Sequence, residues 1–228
     1  MKTVLNTMAI ICLLALAFTS FAQPNITMKM GGLRSQWRGD GLNILNRFAD
    51  ITKSDLFHQD GMTSYYLGAG VSLPIGERFS IEPGLQYSRV GASLQGDLAL
   101  KALSVLDVGL RVQAITDRLE LPVLLRAEVA RGLHLVAGPQ LNYAMQSKLQ
   151  LQGQLLGINL LNKKLDIGSA VEPFSVAALG GIQYQFANGF QLQGLYEYGL
   201  SCLAKNNTAD IFQNSVRIGM GIPIGRKS

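Results

Sequence analysis

The feature that most constrains this chain is a series of segments, each about ten residues or longer, in which apolar and polar residues alternate. The clearest is Phe79-Ser80-Ile81-Glu82-Pro83-Gly84-Leu85-Gln86-Tyr87-Ser88. Phe79, Ile81, Pro83, Leu85 and Tyr87 fall on one side; Ser80, Glu82, Gly84, Gln86 and Ser88 fall on the other. A strand's side chains repeat every two residues, so such a segment has one apolar face and one polar face. A soluble sandwich uses the same pattern. The number of these segments, their length and the alternation of short and long connections instead describe an all-β, eight-stranded, antiparallel up-and-down barrel in a lipid bilayer, apolar outside and polar inside.

The first segment, about 25–35, sets Ile26, Met28 and Met30 against Thr27, Lys29 and Gly31. The second, about 63–74, sets Tyr65, Leu67, Ala69, Val71 and Leu73 against Ser64, Tyr66, Gly68, Gly70 and Ser72. The third spans about 78–92. The fourth, about 116–130, alternates Leu119, Leu121, Val123, Leu125, Ala127 and Val129 with Arg118, Glu120, Arg126 and Glu128. The fifth, about 132–147, alternates Leu133, Leu135, Ala137, Leu141 and Tyr143 with His134, Gln140, Asn142 and Gln146. The sixth, about 172–187, turns Val176, Ala178, Ile182, Tyr184 and Phe186 outward. The seventh, about 189–201, turns Phe190, Leu192, Tyr196 and Tyr198 outward and Gln191, Gln193 and Glu197 inward. The eighth, about 213–224, turns Val216, Ile218, Met220, Ile222 and Ile224 outward and Arg217 inward.

Three connections are short: 74–77, 130–132 and 187–189, the last an Asn-Gly hairpin signal. Four are long: about 36–62, 93–115, 148–171 and 202–212. In outer-membrane barrels short turns face the periplasm, and an even strand count then places both termini there. Closure also leaves no sticky sheet edge. In the first long connection Asp40 is positioned to cap a helix carrying Leu42, Leu45, Phe48 and Ile51. The connections 93–115 and 148–171 are unusually apolar and share the echo Leu94-Gln95-Gly96-Asp97-Leu98 and Leu151-Gln152-Gly153-Gln154-Leu155. With alternation continuing through Val108, Leu110 and Val112, they read as strands extended past the membrane, a helix over 99–106 being the alternative. These two apolar extracellular segments are the expected surface for a protein partner.

Residues 1–22 read as a secretory signal peptide: Lys2 supplies the basic region, 8–18 the apolar region, and Ser20-Phe21-Ala22 the cleavage site. The apolar run falls short of the roughly 20 residues a spanning helix needs. The barrel domain then occupies 23–228. Cys12 lies in the leader, leaving Cys202 without an internal disulfide partner, and no Cys/His cluster suggests a metal. The net charge of +5 is too mild to imply nucleic acid. No cofactor is expected. The expected surroundings are outer-membrane lipid and lipopolysaccharide, which basic residues such as Arg38, Lys148 and Lys163 would meet, with the barrel a monomer. Trp37, at the end of the first strand, is placed where an interfacial aromatic is expected.

Several segments resemble the small outer-membrane β-barrel family described as PorT-like. Met28-Lys29-Met30-Gly31-Gly32-Leu33 resembles its first-strand Gly-Gly motif, and Ile81-Glu82-Pro83-Gly84-Leu85-Gln86-Tyr87-Ser88-Arg89-Val90-Gly91-Ala92 its third strand. Leu119-Glu120-Leu121-Pro122-Val123-Leu124-Leu125, Ala137-Gly138-Pro139 and Tyr196-Glu197-Tyr198-Gly199-Leu200 follow in the family's order. The resemblance implies a Gram-negative outer-membrane barrel; its founding member's link to protein secretion is not carried over.

The inward faces gather four cations, Lys29, Arg118, Arg126 and Arg217, and four carboxylates, Glu82, Glu120, Glu128 and Glu197. Charges in a narrow lumen must be paired or hydrated, and eight strands leave an interior that side chains fill. The expectation is one connected structural network that plugs the lumen, in a non-enzymatic protein with a structural or interaction role. The alternatives are an ion path or acid/base site at Glu82 or Glu197, an accessory role in secretion or small-solute transport, and a lipid A-modifying enzyme. The last would draw on His58 with Asp55, Asp60 and Ser64, or on His134, and no nucleophile motif supports either. No catalytic residue is expected.

Overall fold

A computed structural model describes residues 25–39, 57–97, 108–155, 158–205 and 210–224. The leader at 1–22, the helix following Asp40 and the helix alternative over 99–106 lie outside the described residues. The strands are β1 (Asn25–Arg38), β2 (Phe57–Pro74), β3 (Phe79–Asp97), β4 (Val108–Ala130), β5 (Leu133–Leu155), β6 (Ile158–Asp166), β7 (Phe174–Gln185), β8 (Gln191–Gly199) and β9 (Phe212–Ile224). Every pairing is antiparallel. The order β4-β3-β2-β1-β9-β8-β7-β5 closes through β4–β5 into an eight-stranded barrel.

The ring has the expected eight strands, and a ninth strand, β6, lies beyond it. Among the described residues it pairs only with the far end of β5 and stands outside the ring as a hairpin. Together with β3 reaching Asp97, β4 starting at Val108 and β5 reaching Leu155, it turns much of 93–115 and 148–171 into strand. The alternation at Leu94, Val112 and Leu151 carries this extension: Leu94 pairs with Val112 and Val112 with Leu151, so the period of two continues past the barrel wall.

Within the ring the alternation sets which side chains face out. Met28, Leu67, Leu85, Val123, Leu135 and Ile222 are exposed on the outer wall, while Lys29, Glu82, Glu120 and Arg217 are buried inside. Two expectations fail locally. Gln146 does not face inward: an extra residue in β5, where Asp117 pairs with Gln146 but Arg118 with Ala144, shifts the phase. Ser147 takes the buried position and Gln146 is exposed. Trp37 is not a lipid-facing anchor either. It shares its face with buried Ser35 and pairs with buried Gln213, inside the long-loop mouth.

Prolines explain two gaps in the ladders. The β3–β4 register skips from Pro83↔Val123 to Gln86↔Glu120, and β4–β5 from Pro122↔Gln140 to Leu125↔Ala137. Pro122 and Pro139 lie at or within these gaps and have no N–H to donate. The short connections β2–β3, β4–β5 and β7–β8 share one rim, and the first residue of β1 and the last of β9 sit there too. Gly132 (φ 79°) and Gly189 (φ 85°) supply left-handed backbone in two of these turns. Aromatic residues mark both ends of the outer wall. Tyr184 and Phe186 meet edge-on at 4.9 Å near the short turns, and Tyr143 lies 5.1 Å from Phe174 toward the other rim.

Candidate functional site: the barrel lumen

Closure of the barrel brings the inward charges of β4, β8 and β9 together across the lumen. Glu120 accepts hydrogen bonds from Arg118 Nε at 2.6 Å and from Arg217 Nη1 and Nη2 at 2.6 and 3.0 Å. Ser88 on β3 donates to the same carboxylate. Glu197 accepts from Arg118 Nη2 at 2.6 and 2.8 Å, from Ser215 Oγ at 2.6 Å, and from Arg217. Two guanidinium groups and two carboxylates thus form a closed, neutral quartet whose side chains are at most 4% exposed. Burying four charges carries a heavy desolvation penalty. It is offset here because each carboxylate meets both planar arginine forks and a serine hydroxyl.

A second cluster lies nearer the short turns. Glu82 pairs with Lys29 and, at 3.0 Å, with Arg126. Arg126 also donates to Gln185 Oε1 at 2.9 Å and Ser72 Oγ at 3.2 Å. One carboxylate faces two cations, so this cluster carries an excess of one positive charge. It borders a vestibule of about 200 Å³ that opens on the short-turn rim, lined in part by Arg126, Glu128, His134, Gln185 and Gln191.

The eight charges therefore do not form one network. On β4, Leu124 lies between Glu120 and Arg126; on β8, Leu195 follows Glu197 toward the short turns. With Val136 and Leu179 these residues form a buried apolar cluster between the two sets of charges. Glu128 joins neither: its carboxylate accepts the Gly132 N–H at 3.1 Å, and no ion pair to it occurs among the described residues. Across the lumen, Tyr66 lies over Gly31 and Gly219 and accepts a hydrogen bond from Gln193 at 2.8 Å. Toward the long-loop end Leu33, Tyr66 and Val90 form a second apolar cluster.

The alternation places Tyr66 and Gln193 inward without indicating a role for them, and it leaves the apolar inward residues unmarked. Their signal was phase alone. Leu124, Leu195 and Val90 occupy inward positions, but a rule of polar interiors passes over them.

Acid–base chemistry needs a carboxylate or imidazole free to reach a substrate proton, and the ion-paired lumen carboxylates are not free. Glu82, Glu120 and Glu197 are each held by two cations. The histidines do not converge. His134 sits beside Gly132 at the short-turn rim, whereas His58, paired with Gln95, belongs to the opposite end of β2. Asp60 and Ser64 are also on β2, and Asp55 lies outside the described residues. Among the described residues no group of three or more His, Cys, Asp or Glu is placed to hold a metal ion.

A family model described as outer membrane protein beta-barrel domain matches residues 22–205. No curated protein matches the chain. Among solved structures, the attachment invasion locus protein Ail of Yersinia pestis, in complex with the heparin analogue sucrose octasulfate, is similar at 11% identity with a TM-score of 0.45. That match covers 88% of this chain and 98% of Ail. Neisserial surface protein A is similar at 10% identity and TM-score 0.44, covering 88% and 99%. The outer membrane protein OprG from Pseudomonas aeruginosa is similar at 12% identity and TM-score 0.40, covering 89% and 96%.

Proposed function

We propose that this chain, which belongs to the outer membrane protein beta-barrel domain family, is a non-enzymatic structural or interaction protein whose lumen is plugged. The observation that carries this reading is the closed quartet of Arg118, Glu120, Glu197 and Arg217. A permeating ion would have to break ion pairs that are already saturated and then cross the apolar cluster of Leu124, Val136, Leu179 and Leu195. On this reading the short turns and both termini face the periplasm. The extended strands of 93–115 and 148–171 face outward, toward lipopolysaccharide and a protein partner. Membership of the PorT-like group rests on the motif order in β1, β3, β4, β5 and β8.

Planar-bilayer recording tests this reading. The wild-type barrel should show no steady conductance. A stable channel whose ion selectivity changes in Arg217→Leu would show that the quartet lines a pathway, and a transport or secretion-accessory role would replace the structural one. A change in lipid A mass that depends on the gene would instead point to an enzyme.

A further inference from the structure

The outer wall carries one group of charges that the lumen reading does not use. Arg89 on β3 faces outward, where it donates from Nε to Asp117 Oδ1 at 2.7 Å and from Nη2 to Asp117 Oδ2 at 3.2 Å. Tyr87 donates its hydroxyl to the same carboxylate at 2.8 Å. The guanidinium carbon lies 6.0 Å from the Tyr65 ring. Lys148 on β5 pairs with Ile115, on the same outward face, and acts electrostatically on Asp117. The carboxylate is thus ion-paired with one cation and lies within the field of a second.

Its level on the wall matters. Tyr87, Leu119, Tyr143 and Phe174 pair in sequence across β3, β4, β5 and β7. This outward row is the aromatic girdle expected where hydrocarbon gives way to headgroups. The row Arg89, Asp117 and Gln146 stands two residues further toward the long-loop rim. On the bilayer-spanning reading its charges fall near the depth of headgroup phosphates, where an arginine is tolerated, rather than deep in hydrocarbon, where it is expensive. Arg89 is 39% exposed but Asp117 only 14%. The carboxylate is sheltered behind a guanidinium it has oriented. The Nη1 side of that guanidinium has no partner among the described residues, and Lys148 shares its outward face of the wall. An anchored guanidinium with a neighbouring ammonium suits an oxyanion carrying more than one negative charge.

We propose that Arg89, oriented by Asp117 and flanked by Lys148, forms a site on the outer wall for the phosphate monoester of a lipid headgroup. The inference rests on the reading of the chain as a bilayer-spanning barrel with its long loops outward.

Native mass spectrometry of the full barrel, released from micelles doped with phosphatidic acid or with phosphatidylcholine, tests it. Phosphatidic acid should be retained and phosphatidylcholine should not. Arg89→Gln should lower phosphatidic acid retention about tenfold, the scale of losing a hydrogen bond to a charged group. Lys148→Gln should lower it less, and Arg131→Gln, in the β4–β5 turn at the opposite rim, should leave it unchanged. Asp117→Asn decides between a site and a plain surface ion pair. It adds net positive charge, so a purely electrostatic surface would retain more lipid, whereas a site that depends on an oriented guanidinium retains less. Equal retention of the two lipids, or retention that survives Arg89→Gln, overturns the proposal. Displacement of the lipid by millimolar inorganic phosphate also overturns it, by making free phosphate the ligand. A protein that inserts into neither lipid overturns the membrane-spanning reading itself, whereas insertion without phosphate preference overturns only this site.

Discussion

At the residue scale, the lumen is held by contacts that tolerate little change in shape. A Cβ at Gly219 would stand 1.9 Å from the Tyr66 hydroxyl and 2.5 Å from the Met30 carbonyl oxygen. Gly219→Ala should therefore cost about 1–3 kcal/mol, the usual range for overpacking, read as a lower urea midpoint in detergent. Removing the obstructing oxygen with Tyr66→Phe should recover part of the loss, so the double variant should be more stable than the two single losses predict when added. Strictly additive losses would mean that Tyr66 moves freely. Arg217→Leu leaves Glu120 and Glu197 facing each other with Arg118 alone between them. Breaking a buried pair this way costs about 3–5 kcal/mol, and the barrel should unfold on gels at a clearly lower temperature. An unchanged unfolding temperature would mean that lumen water replaces the arginine.

At the element scale, the turns set register and the bulge resets phase. The β7–β8 turn passes through Gly189 at φ 85°, with the Gly189 N–H donating to the Phe186 carbonyl at 2.8 Å. Gly189→Val forces a β-branched residue into left-handed backbone at a cost of about 1–2 kcal/mol, and refolding into detergent should be less efficient than for the wild type. The bulge in β5 is subtler. One extra residue near Met145 turns Gln146 out and Ser147 in, where its hydroxyl meets Thr116 Oγ1 at 3.1 Å. Deleting Met145 should carry the lower-strand phase upward and expose the β5–β6 hairpin to proteolysis. The hairpin itself supports an orientation test. An epitope tag at Lys163 in β6 should be reached by antibody on intact cells, and one at Asn188 should not; the reverse pattern would invert the barrel.

At the scale of the whole molecule, an apolar belt is wrapped around a polar core that is itself interrupted by apolar layers. From Phe174 to Tyr184, β7 runs through ten residue-to-residue steps along the outer wall. At about 3.4 Å per residue and the usual strand tilt of about 40°, this is a band of roughly 25 Å, matching the apolar belt of outer-membrane barrels. The ring of inter-strand hydrogen bonds closes through β4–β5, so unfolding cannot fray inward from an edge within the membrane. The folded barrel should accordingly persist in sodium dodecyl sulfate at room temperature and migrate differently after boiling. Identical migration before and after boiling would argue against a closed ring.

The period of two, read from residues such as Phe79 to Ser88, defines which charges face inward, and with the number of such segments and the alternation of short and long connections it defines a barrel and its short-turn rim. That is because strand geometry alone assigns successive side chains to opposite faces. It did not show how those charges pair. Glu120 and Arg217 are 97 residues apart in sequence, and their contact depends on how the closed barrel's register brings β4 and β9 across the lumen from each other. For the same reason the eight inward charges were expected as one network, when Leu124, Val136, Leu179 and Leu195 divide them. Adjacency across a lumen is set by closure and stagger, which no single strand encodes. The outward misplacement of Gln146 has a local cause of the same kind. A bulge is a property of a paired ladder, and it becomes visible only when β4 supplies the partner against which β5 has one residue too many.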